Sequence, residues 1–142
     1  MALREILVAP DPRLKVKARP VERIDSGVRT LMDDMLETMY RANGIGLAAP
    51  QIGIAQRFIA LNLGAGSFCM INPEIVWHSE ARFTMWDDCM CFPDTLVKVQ
   101  RYDSISVRFL DESGQVQEWH QLKRDLAELL QHEIDHLDGV LA

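Results

Sequence analysis

The residues best suited to chemistry are His132, Glu133 and His136, which form the pattern H-E-x-x-H near the end of the 142-residue chain. On a helix, two histidines at this spacing lie one turn apart on the same face, so both imidazoles can bind one metal ion. Glu133 lies beside them, close enough to exchange a proton with metal-bound water. The pattern therefore predicts a metal site that activates water, against the alternative of a solvated helix face.

A catalytic site of this kind needs a third protein ligand and an open coordination position. After His136 only residues 137–142 remain, and Asp138 is expected to point away from the histidine face. The third ligand must therefore come from upstream, and the candidates are His78, His120 and the cysteine pair Cys89 and Cys91. Both histidines alternate with apolar neighbours on predicted strands, which favours surface or satisfied strand positions, whereas a thiolate is a strong ligand for zinc or ferrous iron.

Two predicted helices and a β-rich middle must position these residues. Ser26 is a candidate N-cap for the first helix, whose apolar residues repeat at helical spacing as far as Asn43-Gly44. The second helix starts at Arg124 or Asp125 and ends at Gly139. Alternating or β-branched runs predict strands at 57–63, 68–78, 96–100, 104–111 and 115–122, with a hairpin connection at 111–114. This order predicts one α+β domain over residues 1–142 with antiparallel or mixed sheets.

Composition narrows the class of protein. The net charge of −6 gives no electrostatic reason to expect binding to nucleic acid or to an anionic membrane. The first ten residues lack the apolar length of a signal peptide, and no later stretch approaches a membrane span of about 20 residues. Three unpatterned cysteines favour reduced thiols in a cytoplasmic protein, with Cys69 filling core space.

Three motifs carry a resemblance to a known family. G-I-G-L-A-A-P-Q at 44–51, Cys-Met at 89–90 and Q-H-E-I-D-H-L-D-G at 131–139 occur with I-N-P-E-I at 71–75 in the order and spacing of the peptide deformylases. That family removes the formyl group from the N-terminal formyl-methionine of new bacterial and organellar polypeptides and releases formate. The resemblance implies a peptide deformylase-like α+β fold around a central H-E-x-x-H helix, with an N-terminal amphipathic helix.

The resemblance also implies the roles of individual residues. The ligands of one divalent metal, commonly ferrous iron and replaceable by zinc, nickel or cobalt, would be Cys89, His132 and His136. Glu133 would be the general acid and base, while the Gln51 side chain and the backbone N–H of Met90 would donate to the developing oxyanion. The substrate would be a formylated nascent peptide, and we expect a monomer.

The implied substrate-binding residues are Gly44, Ile45 and Gly46, beside which the peptide would add a strand, and Glu128 and Leu129 in the side-chain pocket. An acid at 128 departs from the apolar lining of the family's pocket. If Glu128 points inward, we expect a shift in preference toward a polar or cationic first residue. The alternative is that Glu128 turns out to solvent.

The second motif and the C-terminus also depart from the family. Glu-Gly-Cys-Leu-Ser is replaced by the segment 87–91, D-D-C-M-C, in which Asp87 is expected to support a metal ligand and Asp88 restricts the backbone. Cys91 stands where relatives carry serine and is expected to be a neighbour of the site. The chain ends soon after the third motif, which makes ribosome docking doubtful.

Three other functions stay open. The first is a weak or inactive deformylase-like protein that binds metal or peptide. The second is peptidase chemistry. The third is a structural zinc site with four ligands, Cys89, Cys91, His132 and His136. Structural sites usually leave two or more residues between paired cysteines, and such a site has no use for Glu133 or Gln51, which disfavours it.

Overall fold

The computed structural model describes residues 3–64, 66–89 and 92–140. Its helices are α1 (Ser26–Arg41) and α2 (Arg124–Leu137), with short 3₁₀ helices at Pro12–Lys15 and Ala49–Ile52. The strands are β1 (Gly46–Ala48), β2 (Phe58–Asn62), β3 (Ser67–His78), β4 (Arg82–Cys89), β5 (Phe92–Tyr102), β6 (Ile105–Leu110) and β7 (Val116–Leu122).

All the strand pairs within the two sheets are antiparallel. One sheet has five strands in the order β1-β2-β3-β6-β7, and the other is the β4-β5 hairpin. The expected α+β class is confirmed, and so are the five predicted strands, although the run at 96–100 belongs to the longer strand β5. Two strands, β1 and β4, were not predicted.

The five-stranded sheet lies between the two helices. Alternate side chains of its strands face opposite sides, so one face packs against α1 and the other against α2. Phe58 and Ala60 belong to a core that includes the apolar residues of α1. Ile59 and Leu61, one residue further on, belong to a core that includes those of α2. Cys69 is buried on the α1 side as expected, and burial raises the pKa of its thiol. No helix among the described residues is long and apolar enough to cross a membrane.

Helix α1 begins one residue earlier than its predicted cap requires. The N-cap is Asp25, not Ser26, because the Asp25 carboxylate accepts the backbone N–H of Val28 at 2.9 Å. The C-terminus is closed by Asn43, which adopts a left-handed φ of 56°, and by the N–H of Gly44, which donates to a carbonyl in the last turn. This closure directs the chain into β1.

Helix α2 packs its apolar face against the sheet and against β5. It starts at Arg124 and is followed by Gly139 at a left-handed φ of 76°, so both predicted ends are confirmed. Arg57 donates to the Leu137 carbonyl oxygen at 3.1 Å and pairs with Asp138 at 2.9 Å. The C-terminal end of the helix is therefore held by the residue that precedes β2.

Candidate active site

Helix α2 brings His132, Glu133 and His136 together on one face. One ligand atom from each lies within 4.8 Å of the others, and the imidazole centroids of the two histidines are 4.9 Å apart. Glu133 and His136 are buried, while the His132 side chain keeps 11% of its exposure. The spacing and burial suit a metal ion held by the two imidazoles.

Asp87 on β4 fixes the orientation of His132. Its Oδ2 lies 2.7 Å from Nδ1 of His132, which directs Nε2 to the opposite side of the ring. Burial by itself would raise the Asp87 pKa, but the hydrogen bonds and charges of His132 and Arg101 outweigh it and lower that pKa to about 2. Asp87 is therefore a carboxylate at neutral pH, positioned to support a metal-binding histidine.

Arg101 near the end of β5 joins β4 to α2. Its guanidinium lies 3.2 Å from Asp87 and 2.5 Å from Asp135, and only 6% of its side chain is exposed. Burial raises the Asp135 pKa, and the charge of Arg101 partly offsets that rise. Sequence reasoning missed Arg101 and Asp135, since neither belongs to a spacing pattern that marks a site.

Gln51 lies in the 3₁₀ helix that follows β1 and is buried. Its Oε1 accepts the N–H of Ala48 at 2.8 Å. Because the acceptor end of the amide is held by the backbone, the orientation of the Nε2 donor end is fixed as well. Gln51 and Glu133 line the same cavity.

Gly46 lets Glu133 approach the backbone of β1. A Cβ built at Gly46 would collide with Glu133 Oε2 and would lie 3.0 Å from Cδ of the same carboxyl. A residue without a side chain at position 46 therefore leaves room for the Glu133 carboxyl. Strand β1 lies at the edge of its sheet and, among the described strands, pairs with β2. Gly46 at its start and the preceding residues Gly44 and Ile45 line the cavity.

Gln51, His132 and Glu133 line one cavity of about 520 Å³. Besides Gln51, His132 and Glu133 it is lined by the residues that flank it, namely Ala42, Asn43, Gly44, Ile45, Gly46, Met85, Trp86, Asp87, Glu128 and Leu129. Glu128 is half-buried in this wall and does not turn out to solvent. Burial, followed by the negative charge of Asp87, raises the Glu128 pKa to about 7.

Two upstream candidates for the third ligand lie elsewhere. His78 is exposed and stacks on Tyr102 with ring centroids 3.9 Å apart, and His120 is exposed beside Glu118. Neither belongs to a metal-binding cluster in the described part of the chain. The cysteine pair remains, and of these two residues Cys89 ends strand β4, with a side chain that lies outside what the structure describes.

Two further residues named from the sequence fall in the gap between β4 and β5. Met90, whose backbone N–H was the expected oxyanion donor, and Cys91, the expected neighbour of the site, both lie outside the described residues. The two histidines, one of them held by a carboxylate, form a donor set that fits a divalent transition metal.

Comparison with known proteins agrees with this geometry. The family model for polypeptide deformylase matches residues 3–142. A peptide deformylase of Methylocella silvestris is 46% identical over 151 residues, covering 99% of this chain and 76% of that protein. Peptide deformylase 1 of Ralstonia nicotianae is 48% identical over 145 residues, covering 98% and 83%.

Solved structures give the same answer. The peptide deformylase of Thermotoga maritima superposes with a TM-score of 0.93 at 38% identity, covering 99% of this chain and 95% of that one. That of Ehrlichia chaffeensis in complex with actinonin superposes with a TM-score of 0.92 at 35% identity, covering 99% and 87%. Sequence, fold and the arrangement around the H-E-x-x-H helix agree, and the chain belongs to the peptide deformylase family.

Proposed function

We propose that this chain hydrolyses the N-formyl group of formylated nascent peptides, with Glu133 as the group that moves the proton. Members of its family are metal-dependent hydrolases. The observation that carries the proposal is the burial of Glu133 beside His132 and His136, in a cavity that Gln51 also lines. A base, an amide donor and one histidine of a metal-binding pair line one cavity, and together with the second histidine these are parts that amide hydrolysis needs.

His132, His136 and Cys89 are the residues that would hold the metal, for which we propose ferrous iron. Bound there, a divalent metal would polarise the formyl carbonyl and lower the pKa of water. Support for Cys89 comes from β4, because its backbone lies two residues, or about 7 Å, beyond Asp87. Asp87 contacts His132, so this end of β4 runs beside the histidines.

Glu133 would accept the proton of the attacking water and deliver it to the departing nitrogen. The new bond joins the water oxygen to the formyl carbon, and the bond that breaks joins that carbon to the peptide nitrogen. The products are formate and a free amine, so the proton is only transferred. The lack of a side chain at Gly46 leaves room for the carboxyl where this transfer is needed.

Gln51 and the backbone N–H of Met90 would donate hydrogen bonds to the carbonyl oxygen as its negative charge grows. Support for Gln51 is the bond from the Ala48 N–H to its Oε1, which sets the amide before substrate binds. A donor fixed in advance avoids the cost of reorganisation during reaction. Met90 would act through its backbone, so its side-chain type matters little.

The peptide would lie as an added strand beside β1, where Gly44, Ile45 and Gly46 border the cavity. Support comes from the place of β1 at the edge of the five-stranded sheet. Glu128 and Leu129 would contact the side chain of the first residue. We further propose a monomer that acts in the cytoplasm, where formylated nascent peptides are made.

Formate release tests the proposal. Protein loaded anaerobically with ferrous iron should release formate from formyl-Met-Ala-Ser, and nickel, cobalt and zinc forms should be compared with it. Glu133→Ala should keep its metal and lose activity by about 10²-fold to 10⁴-fold. Cys89→Ala should lose its metal, whereas Cys91→Ala and the exposed control His120→Ala should keep both metal and activity.

Two results would contradict the proposal. Absence of formate release with every divalent metal would argue for a protein that binds metal or peptide without turnover. Equal loss of metal from Cys89→Ala and Cys91→Ala would argue for a closed structural zinc site, in which no coordination position is left for water.

A further inference from the structure

Residues 13–23 have a charge opposite in sign to that of the whole chain. They carry five basic side chains and one acid, Glu22, which gives this segment a charge of +4 in a chain with more acids than bases. Arg13 pairs with Asp11. The other four bases form no ion pair within the described part of the chain, and we call them the basic strip: Lys15, Lys17, Arg19 and Arg23.

The basic strip is the exposed side of a segment whose apolar residues are buried. Leu14, Ala18 and Val21 lie in the core, whereas all four bases of the strip are exposed. The backbone between them is fixed, because the N–H of Ala18 donates to the Leu137 carbonyl at 2.8 Å and the N–H of Val21 donates to the Asn72 side chain at 2.7 Å. A ligand that binds here therefore does not have to order the backbone.

A second cavity, of about 670 Å³, lies at the C-terminal end of the strip. Arg19 and Gln56 lie beside each other in an isolated parallel β-bridge, and both line this cavity with Arg23. Two acids also line it, Glu22 and Asp25, and of these Asp25 is engaged as the N-cap of α1. Two guanidinium groups and an amide are suitable donors for the oxygens of a phosphate group.

We propose that the basic strip binds the phosphate groups of RNA. Local charge is what matters here, because a row of four bases attracts a polyanion even when the net charge of the protein is negative. The choice of RNA rests on the function proposed above, since formylated nascent peptides are made on ribosomes, whose RNA presents such phosphates.

The structure of the strip favours RNA over an anionic membrane. The four bases lie in a short 3₁₀ helix and in the non-helical segment that follows it. Proteins that lie on a membrane surface commonly use an amphipathic helix, whose apolar face enters the lipid. Binding to RNA needs only the charges and the hydrogen-bond donors that the strip offers.

The test measures the binding of a short fluorescein-labelled RNA to the metal-loaded protein by fluorescence anisotropy. The triple substitution Lys15→Gln, Lys17→Gln and Arg19→Gln should weaken binding by roughly 10-fold to 100-fold at low salt. It should also reduce the slope of log Kd against log salt concentration by about 2, since each phosphate contact of a single strand contributes about 0.7 to that slope. Arg23→Gln alone should weaken binding in the same direction.

The control is a second triple substitution, Arg82→Gln, Lys98→Gln and Lys123→Gln. It removes two lysines and one arginine from exposed positions outside the strip, so the net charge of the two variants is the same. Its RNA affinity and salt dependence should stay close to those of the wild type. Both triple variants should release formate from formyl-Met-Ala-Ser at the wild-type rate, because none of the six residues lines the proposed catalytic cavity.

Three outcomes would overturn the proposal or separate it from the deformylase function. Equal weakening by the two triple substitutions would overturn the strip as the binding surface, because net charge alone would then explain the attraction. Binding to vesicles that contain phosphatidylserine, without binding to RNA, would overturn RNA as the partner. Binding of RNA through the strip by a protein that releases no formate would overturn the deformylase function and leave the RNA site standing.

Discussion

At the scale of single residues, the spacing of residues along a helix was enough to predict which side chains lie together at the candidate site. His132 and His136 share a face because α-helical geometry puts residues four apart one above the other, and the sequence contains that spacing. Glu128 follows from the same rule, one turn earlier. Arg101 could not be found this way, because its contacts with Asp87 and Asp135 join two strands to α2 across long sequence separations.

Gly46→Ala should impair the proposed base without removing the metal ligands. The added methyl group would occupy the position of Glu133 Oε2 and displace that carboxyl. A shift of about 1 Å in a catalytic group can cost about 10²-fold in rate, so kcat should fall by that order. The measurement is kcat together with metal content in the purified protein.

The control for this substitution is Gly27→Ala, which adds the same methyl group in α1, away from the cavity. Its kcat should match that of the wild type. If Gly46→Ala were as active as the wild type, the position of Glu133 against β1 would be unimportant for catalysis.

Arg101→Gln should destabilise the protein by about 3 kcal/mol, because it leaves the carboxylates of Asp87 and Asp135 without their cation. It should also weaken metal binding by about 10-fold to 100-fold, since Asp87 orients His132. Urea unfolding of the metal-free protein and a metal titration measure the two effects.

Arg108→Gln is the matched control, because Arg108 also bridges two acids, Glu74 and Glu118, but is exposed. Its replacement should cost at most about 1 kcal/mol and leave metal affinity unchanged. Equal effects of the two substitutions would show that burial of the Arg101 network does not matter.

At the scale of elements, predictability followed the length and pattern of each run. Strands β3, β6 and β7 are runs of six or more residues that contain β-branched and aromatic residues and lie between turn residues. Helix α2 carries apolar residues at helical spacing, so local sequence was enough for these four elements. Strand β1 has three residues and exists because β2 pairs with it. Strand β4 ends in two acids and a cysteine, and its pairing with β5 supplies what its own pattern lacks.

The β6-β7 hairpin allows a test of pH dependence. Asp111 accepts bonds from the Ser113 hydroxyl, the Gln115 N–H and the Gln117 amide, and these lower its pKa from 3.8 to about 2. A carboxyl with a lowered folded-state pKa stabilises the fold above pH 3.8, and that stabilisation is lost as the pH falls through 3.8 toward 2. Asp111→Asn should therefore destabilise the protein at pH 6 and progressively less at lower pH.

Urea midpoints of wild type and Asp111→Asn at pH 6, 4 and 3 measure this difference. Glu80→Gln, an exposed acid between β3 and β4, is the control and should leave the midpoint close to that of the wild type. A constant difference between Asp111→Asn and the wild type at all three pH values would mean that the turn does not depend on the ionised carboxyl.

At the scale of the whole molecule, the five-stranded sheet between α1 and α2 was not deducible beyond its α+β class. Alternation says which residues share a face, but the order β1-β2-β3-β6-β7 depends on which strand edges meet after the chain has folded. The same limit applies to the start of the chain. The N–H of Ala18 donates to the carbonyl of Leu137 at 2.8 Å, which ties the N-terminal segment to the end of α2.

Gly139→Ala tests this contact between the N-terminal segment and the end of α2. At Gly139 the φ of 76° disfavours a side chain, and a Cβ would lie 2.5 Å from the carbonyl oxygen of Lys15. Gly64 has a similar φ of 89°, but a Cβ there would meet no atom within 4 Å. Gly64→Ala should therefore show backbone strain alone, about 1 kcal/mol, whereas Gly139→Ala should cost at least about 2 kcal/mol in urea unfolding. The additional loss of unfolding free energy in Gly139→Ala would measure the packing of the N-terminal segment against the end of α2. Equal losses in the two variants would mean that this packing adjusts to the new methyl group and does not contribute to stability.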